Sequence, residues 1–157
     1  GAPVAVHLPN SPVIATGKRD GSKIRLPNGN YLEETASYYV MIETKSGGYT
    51  PALITMKSTQ LNVSKKWNSM MKTIQIPDGK GGFAIPPMHG VVYNLASTLQ
   101  KNDKGSWYGW VVTQDRILGQ EDKALYLSAK DFSGNVSKGT VQTKADVEEK
   151  SKDSTPY

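Results

Sequence analysis

YTPALITMKSTQLNVSKKWNSMMKTIQ, residues 49–75, is the stretch on which the reading of the chain turns. Its first half is an apolar, strand-like run (Ala52, Leu53, Ile54, Met56). At Lys57-Ser58-Thr59 the period changes, and Val63, Trp67, Met70, Met71 and Ile74 recur at i, i+4, i+7, i+8 and i+11. That spacing gathers all five on one side of an α-helix. Ser58 or Thr59 is the expected N-cap, because a hydroxyl can accept from the orphan N–H groups of a first turn. Lys57, Lys65, Lys66 and Lys72 stay off the stripe and are expected to face water, while Trp67 and the two methionines are expected to be core.

Outward from this junction, the flanking segments read mainly as strands. Lys23-Ile24-Arg25-Leu26 alternates polar and apolar and runs into Asn28-Gly29, the strongest short hairpin signal. Residues 36–44 (ASYYVMIET) are β-branched and aromatic, and Ser46-Gly47-Gly48 turns them back into the strand at residues 49–56. After the helix, residues 77–87 (PDGKGGFAIPP) read as an irregular loop carrying Lys80. Residues 90–99 and 107–113 form two further strands around the turn at residues 101–105. A short helix follows at residues 121–132, with Gly134 at its expected C-cap.

The order is three strands, a helix, two strands and a trailing helix. The expected fold is therefore mainly β: a five-stranded OB-fold-like barrel with a helix between strands 3 and 4 and a short C-terminal helix. A mixed α+β sheet would give the same string. The expected organisation is an N-terminal arm (1–20), an OB-like nucleic-acid-binding domain (21–134) and a flexible C-terminal tail (135–157). The proline-rich arm suits an edge, since proline lacks the ladder N–H. The start at Gly1-Ala2, without methionine, leaves room for a missing N-terminal flank.

Composition narrows the chemistry. With 157 residues the chain is one domain's worth, and it has no cysteine, which removes disulfides, thiolate metal sites and cysteine nucleophiles. The absence suits a reducing cytoplasm, the host cell's if the chain is phage-encoded. No apolar run approaches the roughly 20 residues of a membrane helix. The net charge is +5, and the tail from Lys144 onward sets three lysines against four acids, so the body carries +6. A basic body favours polyanionic partners.

No catalytic motif is present. The two histidines, His7 and His89, lie far apart, and neither sits in a metal-spaced cluster. The glycines of residues 79–82 do not precede the Lys-Ser/Thr of a phosphate loop. Glu33-Glu34 and Glu121-Asp122 fall in turns or helix starts, where acids suit the dipole. The reading is accordingly non-enzymatic, without metal or cofactor.

The block ALITMKSTQLNVSKKWNSMM (residues 52–71) resembles a family of small phage-encoded proteins found among replication and recombination functions. The likeness continues through Tyr93 and through Asn102-Asp103-Lys104-Gly105-Ser106-Trp107-Tyr108-Gly109-Trp110, fading near Phe132, and it covers about two thirds of the chain. It implies a single-stranded DNA-binding protein.

Such binding needs cations along a groove and flat side chains on which bases stack, each stacked base contributing about 1–3 kcal/mol. The residues expected to supply these are Arg25, Tyr38, Tyr49, Lys57, Lys80, Trp107, Tyr108, Trp110 and Arg116, with Lys45, Lys101 and Lys104 near the same rim. Strand side chains alternate, so Tyr38 and Tyr39 oppose each other, as do Trp107 and Tyr108. One of each pair should be core and the other exposed. The tail ending Asp153-Ser154-Thr155-Pro156-Tyr157 resembles the acidic, aromatic-ended tails with which single-stranded DNA-binding proteins recruit partner enzymes. Asp153, Pro156 and Tyr157 would make that contact, with replication or recombination enzymes as partners. The reading admits a homo-oligomer and does not separate DNA from RNA. Its rivals are a phage structural or protein-interaction module whose aromatics form a subunit interface, and a nuclease or polymerase accessory domain, which would need clustered carboxylates.

Overall fold

A computed structural model describes residues 5–141. The recruiting tail expected around Asp153, Pro156 and Tyr157 lies outside them. The chain enters through a one-turn helix α1 (Pro12–Ala15), with proline at its first turn, where a missing N–H costs nothing. Three short strands, β1 (Lys18–Asp20), β2 (Lys23–Arg25) and β3 (Tyr31–Leu32), form a small antiparallel sheet. Asn28-Gly29 turns β2 into β3 as expected, with Gly29 at φ 86°.

Two long hairpins follow, separated by a helix. The first pairs β4 (Thr35–Glu43) with β5 (Tyr49–Lys57) from Thr35↔Lys57 to Glu43↔Tyr49. A 3₁₀ turn at Ser58–Gln60 then starts α2 (Leu61–Thr73). Beyond a minimal hairpin of β6 (Ile76–Pro77) and β7 (Phe83–Ala84), the second long hairpin pairs β8 (Val91–Asn102) with β9 (Gly105–Ile117). A further 3₁₀ turn, Gln120–Asp122, leads into α3 (Lys123–Ser137).

The fold is mainly β, but its strands do not close into a barrel. The ladder breaks into one three-stranded and three two-stranded sheets, and neither long hairpin hydrogen-bonds to the other. The physical reason lies in α2. A barrel would bring the hairpins edge to edge, whereas here the helix lies between them and joins them through side chains. Trp67 stacks on Tyr38 of β4 at 4.4 Å and meets Tyr93 of β8 edge-on at 5.6 Å. Around that indole Ile54, Met56, Ala36, Val40, Val63, Met71, Leu95 and Val112 close the core. The helix stripe read from periodicity is the buried side, and the four lysines 57, 65, 66 and 72 face water.

Other expectations are corrected. Neither Ser58 nor Thr59 caps α2 through its hydroxyl, because the 3₁₀ turn supplies the start instead. The last helix runs five residues past its expected end, and Gly134 sits inside it. The left-handed glycine after the helix is Gly139 (φ 69°). Residues 77–87 are not wholly irregular. Asp78 Oδ1 accepts from the N–H groups of Lys80 (2.7 Å) and Gly82 (3.0 Å), tightening the β6–β7 turn. Those two donors hold the Asp78 carboxyl below its ordinary range.

Candidate nucleic-acid interface

The core-facing side of β8–β9 is longer than the helix that covers it. The register sets Leu95 opposite Val112, Ser97 opposite Trp110 and Leu99 opposite Tyr108. Alternation places these six side chains on one face, with Lys101 and Ser106 at its far end. Near the hairpin base that face is core: Tyr93, Leu95 and Val112 pack against Trp67 and its neighbours. Toward the turn the same face is uncovered, with Leu99 48%, Tyr108 73% and Trp110 38% exposed. An apolar strip ending in two aromatics and a lysine therefore continues a buried surface into solvent.

On the other face, Trp107 is half-buried and lines a groove of about 370 Å³ with Ser58, Thr59, Asn102, Lys104, Gly105 and Ser106. The groove forms where the 3₁₀ turn before α2 meets the β8–β9 turn. Gln60 fastens the two together: its Oε1 accepts from the Trp110 N–H at 2.8 Å. Beside it, Gly109 leaves room for the two glutamine amides. A Cβ at Gly109 would lie 2.7 Å from Gln60 Nε2 and 2.6 Å from Gln100 Nε2. Ser58 is the sole non-glycine residue at positive φ (54°) among the described residues. Backbone so held costs about 1–3 kcal/mol and persists only where the surroundings fix it.

The expected site residues do not converge on one place. Trp107, Tyr108 and Trp110 share the β9 tip, with Trp107 on one face and the other two on the opposite face. Lys57 adjoins the groove at Ser58 and remains 62% exposed, although Glu33 lies 3.7 Å from its Nζ. Tyr38 is taken up by the core: beyond its stacking on Trp67, its hydroxyl bonds Ser64 Oγ at 2.6 Å and donates to Asn68 Oδ1 at 2.9 Å. Its neighbour Tyr39 is the exposed one.

Arg25 stands in the separate three-stranded sheet, 6.0 Å from the Tyr31 ring. Lys80 is exposed at the β6–β7 turn. Arg116 lies at the hairpin base and donates to Asp122 Oδ1 at 2.6 Å. That bond, then the Gly119 N–H on Oδ2, holds the Asp122 carboxyl low, and the Asp122 carboxylate in turn raises the guanidinium. Arg116 stands eight positions along the strand from Tyr108, roughly 25 Å along β9. Tyr49 lines a cleft with Met41 and with Ala124, Leu125 and Ser128 of α3. Sequence reasoning passed over Ser58, Thr59, Gln60, Asn102, Ser106 and Leu99. The one available signal was Gly109 amid three aromatics, a position that implies close approach by another element.

Elsewhere, His89 is half-buried with its ring 5.2 Å from Tyr126, and burial, then Lys130, lowers its pKa. No group of three or more metal-ligating side chains occurs among the described residues. No described helix is long and apolar enough to cross a membrane.

A mainly β domain built on two side-chain-joined hairpins, with an uncovered aromatic strip, is thus the class to which the fold and site assign the chain. It belongs to the Pam3 phage gp34-like protein family, whose profile matches residues 1–142, and is a phage protein. No curated protein and no solved structure matches it.

Proposed function

We propose that the protein binds single-stranded nucleic acid, non-enzymatically and largely without reading sequence, at the uncovered end of β8–β9. The observation that carries this is Tyr108 and Trp110 standing exposed on one face, with Lys101 on that face and Lys104 at the adjoining groove. Two residues apart on a strand, the two positions are spaced about 7 Å along β9. Each can take the face of a separate unstacked base, and every base has a π-face, so stacking of this kind is tolerant of sequence. Lys57, Lys101 and Lys104 supply the phosphate contacts. This replaces the barrel-groove site by a hairpin site, and Tyr38 has no part in it.

Resemblance to phage replication and recombination proteins favours DNA as the strand and the host cytoplasm as the place of action, with the tail recruiting replication or recombination enzymes. Titration of tryptophan fluorescence with a single-stranded oligonucleotide tests the reading. Quenching is expected with single strands and not with duplex. The log affinity should fall with log salt by about 0.7 per phosphate neutralised, hence about 2 for three lysines. No quenching in low salt, or a flat salt response, overturns it, and matched DNA and RNA oligonucleotides decide which strand is preferred.

A further inference from the structure

We propose that the chain pairs with a second copy of itself along the outer edge of β8, joining two β8–β9 hairpins into one four-stranded antiparallel sheet. Twelve residues of β8 have β9 on one side, and among the described residues no backbone partner on the other. Such an edge is a template for another strand unless it is blunted by proline, charge, a bulge or a cover.

The other long edges are blunted. β5 carries Pro51. β9 has Gln60 on the Trp110 N–H, and a break in register near its base leaves Asp115 unpaired. β4 is flanked by Glu34 and ends at Glu43. Antiparallel pairing of β4 on itself about Tyr39 sets Glu34 of one copy next to Glu43 of the other, which like charge disfavours. β8 has no proline, and its single charge is Lys101.

The hydrogen-bond phase of β8 selects the partner geometry. Trp110 gives its N–H away from β8, to Gln60, so Ser97↔Trp110 is a non-hydrogen-bonded pair within the hairpin. The N–H and C=O of Ser97 therefore point outward, and those of Leu95 and Leu99 follow by alternation. A two-fold axis through Ala96 sets Leu95 against the partner copy's residue 97, and residue 93 against 99, as hydrogen-bonded pairs. It uses residues 91–101 over roughly 35 Å. Residue 101 then meets residue 91, so the two lysines lie at opposite ends of the seam. Faces are kept, and each half-exposed Leu99 gains the other copy's Tyr93 as a neighbour. Tyr108 and Trp110, one strand further out, stay open, so this proposal stands apart from nucleic-acid binding.

Sedimentation without nucleic acid tests it. The wild-type chain is expected at twice its 17.1 kDa mass. Ser97→Lys puts like charges diagonally across the seam, and is expected at single mass with unchanged circular dichroism. The chain has no cysteine of its own. Ala96→Cys sits on the axis, in a non-hydrogen-bonded pair with Cα atoms about 4.5 Å apart, within disulfide reach. Mild oxidation is expected to convert it to covalent dimer at least tenfold faster than Thr98→Cys, also exposed but out of register. A wild type of single mass up to its solubility limit overturns the proposal. So does a Ser97→Lys dimer, equal cross-linking of the two cysteine variants, or dissociation by Ser37→Lys on β4 instead.

Discussion

The two long hairpins make an instructive pair. Both are antiparallel, both carry adjacent aromatics, and both contribute one ring to the indole of Trp67. β4–β5 spends its inward side chains on the core: Ala36, Tyr38, Val40, Ile54 and Met56 all reach it. β8–β9 is longer than its cover, and the same inward phase passes from core at Leu95 and Val112 to solvent at Leu99, Tyr108 and Trp110. Whether a phase is structural or available to a ligand depends on how much of the hairpin α2 covers.

That contrast can be broken most forcefully at its shared point. Trp67→Ala removes a side chain that both hairpins hold, at 3% exposure. It should cost about 3–5 kcal/mol, as emptied aromatic sites do, read as the shift in a urea unfolding midpoint. A loss below 1 kcal/mol would mean that the hairpins are joined elsewhere.

At the uncovered end the effect should move from stability to binding. Tyr108→Ala and Trp110→Ala are each expected to lose about 1–3 kcal/mol of oligonucleotide affinity. Tyr108→Ala should leave the unfolding free energy within about 0.5 kcal/mol of wild type. Equal loss of folding and binding would erase the distinction between the hairpins.

Tyr38→Phe sharpens the comparison from the covered side. Losing the hydroxyl shared with Ser64 and Asn68 should cost about 1 kcal/mol of stability, with oligonucleotide affinity unchanged. Ser58→Gly should go the other way, gaining up to about 1 kcal/mol by releasing a left-handed residue. Calorimetry reads both.

The smallest effect belongs to the hairpin base. The Asp122 carboxyl is held low by Arg116 and then by the Gly119 N–H, so its folded pKa lies below the unfolded value near 3.8. Its contribution is present above that unfolded value and fades as pH falls through the folded one. Wild type and Asp122→Asn should therefore differ most in melting temperature at neutral pH and converge below pH 3.8. A gap constant with pH would show that the carboxylate's charge plays no part.

Much of this was legible beforehand. The change of period at Lys57-Ser58-Thr59, the stripe ending at Ile74 and the hairpin turns mark local preferences, and local preferences are written in neighbouring residues. The barrel was not legible, because closure depends on which edges meet, and a helix between two hairpins has the same element string as one plugging a barrel. At the site, the alternation of Tyr38 with Tyr39 and of Trp107 with Tyr108 was certain, while its phase was not. A pattern of period two fixes that neighbours oppose, and says nothing of which neighbour meets the core.

By itself, then, the order of residues determined a mainly β chain, a basic helix with one apolar side, and rings paired on opposite faces. Tertiary structure alone decided that Tyr38 goes in while Tyr108 stays out, that Gln60 reaches across to Trp110, and that Ser58 takes a left-handed backbone. The contacts of Tyr38 with Trp67 and of Gln60 with Trp110 join segments distant along the chain, and such contacts form only when packing has brought the segments together.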